Sequence, residues 1–100
     1  MPKSAFAANA QAKLCAAQIS RLLAGETPIG TTLINTCYSL INPDYGISVA
    51  GIYRPDPDGW QEVDGAGGAS PAHAGPDIRA LEAGYAQDWY RAMTAQVFGA

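Results

Sequence analysis

The chain has 100 residues, 48% hydrophobic and 15% charged, with a formal net charge of −3. That length fits a single domain, read here as residues 1–100, which buries roughly 60–70% of its unfolded surface and is stable by a small margin. Charge well below the usual quarter or so points to a buried partner surface, and the singly scattered Lys and Arg exclude a nucleic-acid stripe.

Residues 8 to 23 place Ala8, Ala12, Cys15, Ile19, Leu22 and Leu23 at spacings of four, three, four, three and one, which is one stripe of an α-helix. Ser4 or Asn9 is placed to cap it, and Gly25 followed by Pro28 stops it. Cys15 lies on the apolar stripe, which argues for packing.

Thr31 to Ile41 is rich in β-branched and aromatic residues, and Ile47 to Tyr53 alternates Ile, Val and Tyr with small residues. Both read as strands, joined as a hairpin through Asn42-Pro43-Asp44-Tyr45-Gly46. Strand alternation puts Leu33, Asn35, Cys37, Ser39 and Ile41 on one face and Thr32, Ile34, Thr36, Tyr38 and Leu40 on the other. Cys37 thus falls on the smaller, more polar face.

Residues 54 to 77 are rich in Pro and Gly and break any long element, although Trp60 to Val63 has the composition of a short strand. From Asp77, placed to cap, the helical spacing returns in Ile78, Leu81, Tyr85, Trp89, Ala92 or Met93, and Val97, and the helix ends at Gly99. The order of elements gives an α+β fold, a small antiparallel sheet with helices packed on one face.

No G-x-G-x-x-G, no G-x-x-x-x-G-K-[ST] and no Ser/His/Asp set is present, so the usual nucleotide and hydrolase signatures are missing. Two cysteines and one histidine supply no metal site. No run of about 18 apolar residues spans a bilayer, and the first residues do not read as a secretory leader. His73, in a Ser-Pro-Ala-His-Ala-Gly-Pro loop, reads as exposed, and Asp56, Asp58, Glu62 and Asp64 form a loose acidic group whose plainest role is solvation.

Cys37 has two readings on its residues alone. A strand cysteine packs as a small apolar group, and residue type favours that; a reactive thiol needs partial exposure and a lowered pKa, and a face shared with Asn35 and Ser39 suits a cleft. Tyr85 and Trp89, at helical spacing, read as core, and Asp88 as a solvated charge.

The stretch LINTCYSLINPDYGISVAGIYR, residues 33 to 54, closely resembles the flavin-binding C-terminal region of the flavoprotein subunit of flavocytochrome c sulfide dehydrogenase. MPKSAFAANAQAK at residues 1 to 13 resembles the segment that follows a Gly-Asp flavin-contacting motif there, and YAQDWYRAMTAQVFG at 85 to 99 resembles the C-terminal helix. The resemblance implies a glutathione-reductase-like fold with covalently attached FAD, and an enzyme that oxidises sulfide and passes electrons to a haem c subunit in the periplasm. It makes Cys37 one half of a redox-active disulfide whose other half belongs to preceding FAD/NAD-type domains, and it gives Cys15 no redox role. It places Trp89 near the flavin ring, against the core reading, and turns a helix N-terminus toward the flavin, so that Lys3, Ser4 and Asn9 lie on the cofactor side.

A family member runs to several hundred residues, with its dinucleotide fingerprint and flavin-linking cysteine upstream, which implies that this chain is a fragment or truncated product. A second reading makes it an interaction module that neither binds FAD nor turns over by itself, since phosphate-cradling glycines are absent. A third makes it a thiol enzyme using Cys37 alone, which requires a depressed thiol pKa.

Overall fold

A computed structural model describes residues 3–99 of the chain. The elements run helix α1 (Ala5–Leu23), strands β1 (Leu33–Asn42), β2 (Tyr45–Asp56), β3 (Gly59–Glu62) and β4 (Gly68–Ala69), and helix α2 (Pro76–Phe98). The fold is α+β, with one small antiparallel sheet in which β2 lies between β1 and β3 and also pairs with β4. Both long strands run through two compact units: one holds the chain up to Cys37 together with Ala50–Gly68, the other Tyr38–Val49 together with the chain from Ala69 onward.

In the first unit, Ser4 is the N-cap of α1 and its hydroxyl accepts from the Ala7 N–H at 3.1 Å. The helix stops in a Schellman turn, where Glu26 N–H donates to Arg21 O (2.9 Å) and Gly25 N–H to Leu22 O (3.1 Å), with Gly25 at φ 77°. Arg21 then ties down the segment that follows: its Nε donates to Thr27 O at 3.0 Å and its Nη1 pairs with Glu26 at 2.8 Å. Gln18 accepts from Ile29 N–H at 2.7 Å. The β2–β3 register sets Tyr53 opposite Glu62 and Asp56 opposite Gly59, and Asp56 Oδ1 accepts from Asp58 N–H in the turn between them. The buried apolar residues of this unit are Ala7, Leu33 and Tyr53.

The apolar stripe of α1 is not its covered face. Ile19, Leu22 and Leu23 are exposed, as are Ala8, Ala12 and Cys15, while Ala7 is buried and Phe6, Ala10, Leu14, Gln18 and Arg21 are half-buried. The expectation that Cys15 packs is overturned: it is an exposed free thiol. The covered face is the one that begins at the cap, because Ser4 and Ala7 are drawn to the sheet by the Ser4 hydroxyl.

In the second unit, Asn42 Oδ1 accepts from Asp44 N–H at 2.8 Å, an Asx turn that closes the β1–β2 hairpin. Helix α2 lies so close to β2 that a Cβ at Gly46 would collide with the Ala83 backbone. Close approach selects small residues, and Ala83 and Ala86 form the buried apolar face. The expected stripe is therefore corrected here too: Ile78, Leu81, Tyr85 and Val97 face outward, and only Trp89 and Met93 of that stripe are half-buried. Gly75, not Asp77, is the N-cap, with Pro76 and Asp77 in the first turn, and Gly99 ends the helix in the left-handed region.

A polar knot holds the Ala69–Gly75 segment against α2. Ser70 Oγ accepts from Ser48 N–H at 2.6 Å and donates to Glu82 at 2.5 Å. Arg79 is 5% exposed, donates through Nη2 to Pro71 O at 2.7 Å, approaches Glu82 at 3.8 Å and lies over the Tyr45 ring at 5.2 Å. Carbonyl, carboxylate and ring face all meet this buried guanidinium, while its Nε and Nη1 make no hydrogen bond among the described residues.

Candidate functional site

Four of the five sequence-predicted site residues fall in the first unit. Cys37 is a free, half-buried thiol on β1. Two positions before it on the same strand face, Asn35 is 0% exposed, and its Oδ1 accepts from Ser4 Oγ at 2.5 Å. One hydroxyl thus links the first turn of α1 to the strand that carries Cys37. Asn9 is half-buried on α1, and Lys3 is exposed just before the cap.

The polar character of the Asn35–Cys37–Ser39 face points in sequence to a cleft, but the structure divides that face. Leu33 and Asn35 are buried, Cys37 is half-buried and Ser39 is exposed, so Cys37 stands at the margin between covered and open strand. A thiol at such a margin can be reached, whereas a fully packed one cannot.

Trp89 belongs to the second unit. Its ring lies 6.4 Å from the Tyr38 ring, tilted by 35°, and both line an open cavity of about 530 Å³ together with Leu40, Ala86, Tyr90 and Arg91. The Arg91 charge there is matched by Asp88 at 3.1 Å. The core reading of Trp89 fails because α2 turns Ala83 and Ala86 inward, leaving the indole half-exposed over the cavity. Tyr38 was not singled out by spacing, since nothing in a strand pattern announces a ring pair with a distant helix.

His73 is exposed, and so are Asp56, Asp58, Glu62 and Asp64. Among the described residues no group of three or more His, Cys, Asp or Glu is placed to hold a metal ion, and no helix is long and apolar enough to cross a membrane.

The family model for "flavocytochrome c sulphide dehydrogenase, flavin-binding" matches residues 30–98. The chain belongs to this family. Asn35, Cys37, Tyr38 and Trp89 all lie inside the match, while Lys3, Ser4, Asn9 and the whole of α1 precede it.

A flavin of this flavocytochrome family needs an aromatic or apolar surface for its ring and, in dinucleotide form, donors for its phosphates. The residues present fit the first need: three aromatic side chains line the open cavity of the second unit. The first turn of α1 also carries no acidic residue, so the positive end of its dipole is not neutralised by its own side chains. Phosphates find no such cradle at α2, where Pro76 lacks an N–H and Asp77 sets a carboxylate in the first turn. The cavity of the second unit thus offers a surface for the ring of a flavin, while the start of α2 offers no phosphate cradle.

Proposed function

We propose that this chain is the C-terminal, flavin-side part of a sulfide:cytochrome c oxidoreductase, acting in the periplasm with a haem c partner subunit. The observation that carries the reading is Cys37: a free, reachable thiol inside the family match, two residues along β1 from the side chain that holds the N-terminus of α1. In the intact flavoprotein Cys37 forms one half of a redox disulfide, its partner cysteine lying in FAD/NAD-type domains that precede this region in a glutathione-reductase-like arrangement.

Hydrosulfide attacks one sulfur of that disulfide. A new S–S bond forms to the attacked cysteine, the original S–S bond breaks, and the other cysteine leaves as a thiolate. FAD, when bound, would supply the acceptor for the two electrons released as sulfide sulfur is oxidised, with the haem c subunit as the onward partner. On this reading Lys3, Ser4 and Asn9 belong to the cofactor side, the first two at the positive end of α1, and the Trp89 ring is part of the aromatic surface that the second unit offers a flavin. The outward apolar faces of α1 and α2, with Ile19, Leu22 and Leu23 on one and Ile78, Leu81 and Tyr85 on the other, suit burial against those further domains.

The test is sulfide-dependent cytochrome c reduction by the full-length flavoprotein carrying Cys37→Ser. Loss of the reaction is expected; an unchanged rate overturns the assignment.

A second reading has its own observation. Neither described helix opens on a glycine-rich turn after a strand, for α1 starts at Ser4-Ala5 and α2 at Gly75-Pro76-Asp77. On this reading the isolated chain is an interaction module that neither retains FAD nor oxidises sulfide. A stable yellow complex between the purified chain and FAD overturns it.

A further inference from the structure

Strand β1 carries an amide at the most enclosed side-chain position of the first unit. Asparagine is depleted in strands and seldom interior, yet Asn35 is 0% exposed. Its Oδ1 accepts from Ser4 Oγ at 2.5 Å across 31 residues of sequence, and the same oxygen of Ser4 accepts from Ala7 N–H at 3.1 Å. The Asn35 Nδ2 has no hydrogen-bond partner among the described residues.

An unpaired buried donor is a standing cost to folding, and a leucine or valine in this strand would not bear it. What an apolar residue lacks is the acceptor for Ser4. Packing defines this end of α1 only loosely, because the one residue the helix buries fully is Ala7 and its other covered residues, from Phe6 to Arg21, are half-buried. The Ser4–Asn35 bond instead fixes the first turn at one point on β1, and that point is two residues from Cys37.

We propose that Asn35 is a positioning residue of the flavin site. Acting through Ser4, it holds the positive end of α1 in register with the strand that presents Cys37. This rests on the reading of Cys37 and the α1 N-terminus as flavin-side groups, and it goes further by naming the residue that sets their mutual placement.

The experiment compares Asn35→Leu, Ser4→Ala and the double variant in the full-length flavoprotein. The readouts are the flavin midpoint potential, thermal melting, and hydrogen exchange at the Ala7 amide. Asn35→Leu is expected to lower the midpoint potential, because a loosened helix end favours the added electrons less. Ser4→Ala is expected to lower it similarly, and the double variant by no more than either single change, since both remove one bond. Exchange at Ala7 rises about fivefold in Asn35→Leu, with melting unchanged or raised by the apolar replacement.

Additive shifts, or a shift with Ser4→Ala and none with Asn35→Leu, overturn the inference and leave the flavin-side reading standing. If neither substitution moves the potential, the reading of the α1 end falls and the inference falls with it. Should the variants fail to retain flavin, an unchanged Ala7 exchange rate in Asn35→Leu also overturns the inference.

Discussion

The two helices of this protein begin in opposite ways. α1 opens on Ser4, whose side chain caps the helix and bonds to a buried strand amide, and no acidic residue follows in its first turn. α2 opens on Gly75 without a side-chain cap, continues with Pro76 and Asp77, and buries Arg79, Ala83 and Ala86 one after another. A helix that carries its own aspartate in the first turn satisfies its dipole internally. One that omits the aspartate leaves its positive end un-neutralised, and α1 adds a cap side chain bonded to β1 to its half-buried stripe from Phe6 to Arg21, whereas α2 buries residues along its length with no side-chain cap. The difference separates a helix whose start is tied to a strand by its cap side chain from a helix whose start is not.

The sharpest way to break this comparison is to remove one side chain from each unit and measure sulfide-dependent cytochrome c reduction in the full-length flavoprotein. Cys37→Ser is expected to bring the reaction to background, because the proposed S–S bond needs this sulfur. Trp89→Phe keeps an aromatic face and alters the Tyr38 ring contact, a kind worth about 0.5–1.5 kcal/mol, so the rate is expected to fall by about tenfold. If the tryptophan change proved the more damaging, the second unit would hold the chemistry and the assignment would reverse.

Stability offers the next test. A Cβ at Gly46 meets the Ala83 backbone, which unlike a flexible side chain cannot move aside. Gly46→Val is expected to destabilise the protein by about 3 kcal/mol, read as a lowered melting temperature. A neutral result would mean that α2 does not seat closely on β2, and that the small residues of its inner face need another explanation.

Periodicity made the two helices, the hairpin and the short third strand legible in the sequence, because spacing and turn residues act locally. It did not make the helix faces legible. Large apolar residues do not mark the covered side here: Ile19, Leu22, Ile78 and Leu81 are exposed, while the fully buried apolar residues of both helices are alanines. The inner faces were chosen by close approach at Gly46 and by the Ser4–Asn35 bond, and both depend on residues more than 30 positions apart, as the 31-residue separation of that hydrogen bond illustrates. The same holds for the site. Cys37 stood out as a strand thiol on a polar face, but the meaning of that polarity changed once Asn35 proved to be buried under the cap of α1.

Smaller effects then sharpen the contrast between the two helix starts. Ser4→Ala removes a cap and strips Asn35 Oδ1 of its donor, and the expected loss is about 1–2 kcal/mol in a denaturant melt. The reverse change at α2, Gly75→Ser, should gain only a few tenths of a kcal/mol. Its backbone, at φ −74° and ψ 174°, already suits a serine cap, so no strain opposes the substitution. The gain stays small because glycine is itself an acceptable N-cap, and because α2 draws its stability from Ala83, Ala86 and the Arg79 knot instead of from its first turn. A gain at Gly75 as large as the loss at Ser4 would show that both helices depend equally on their starts, and the distinction between a start tied down by its cap and one that is not would not survive it.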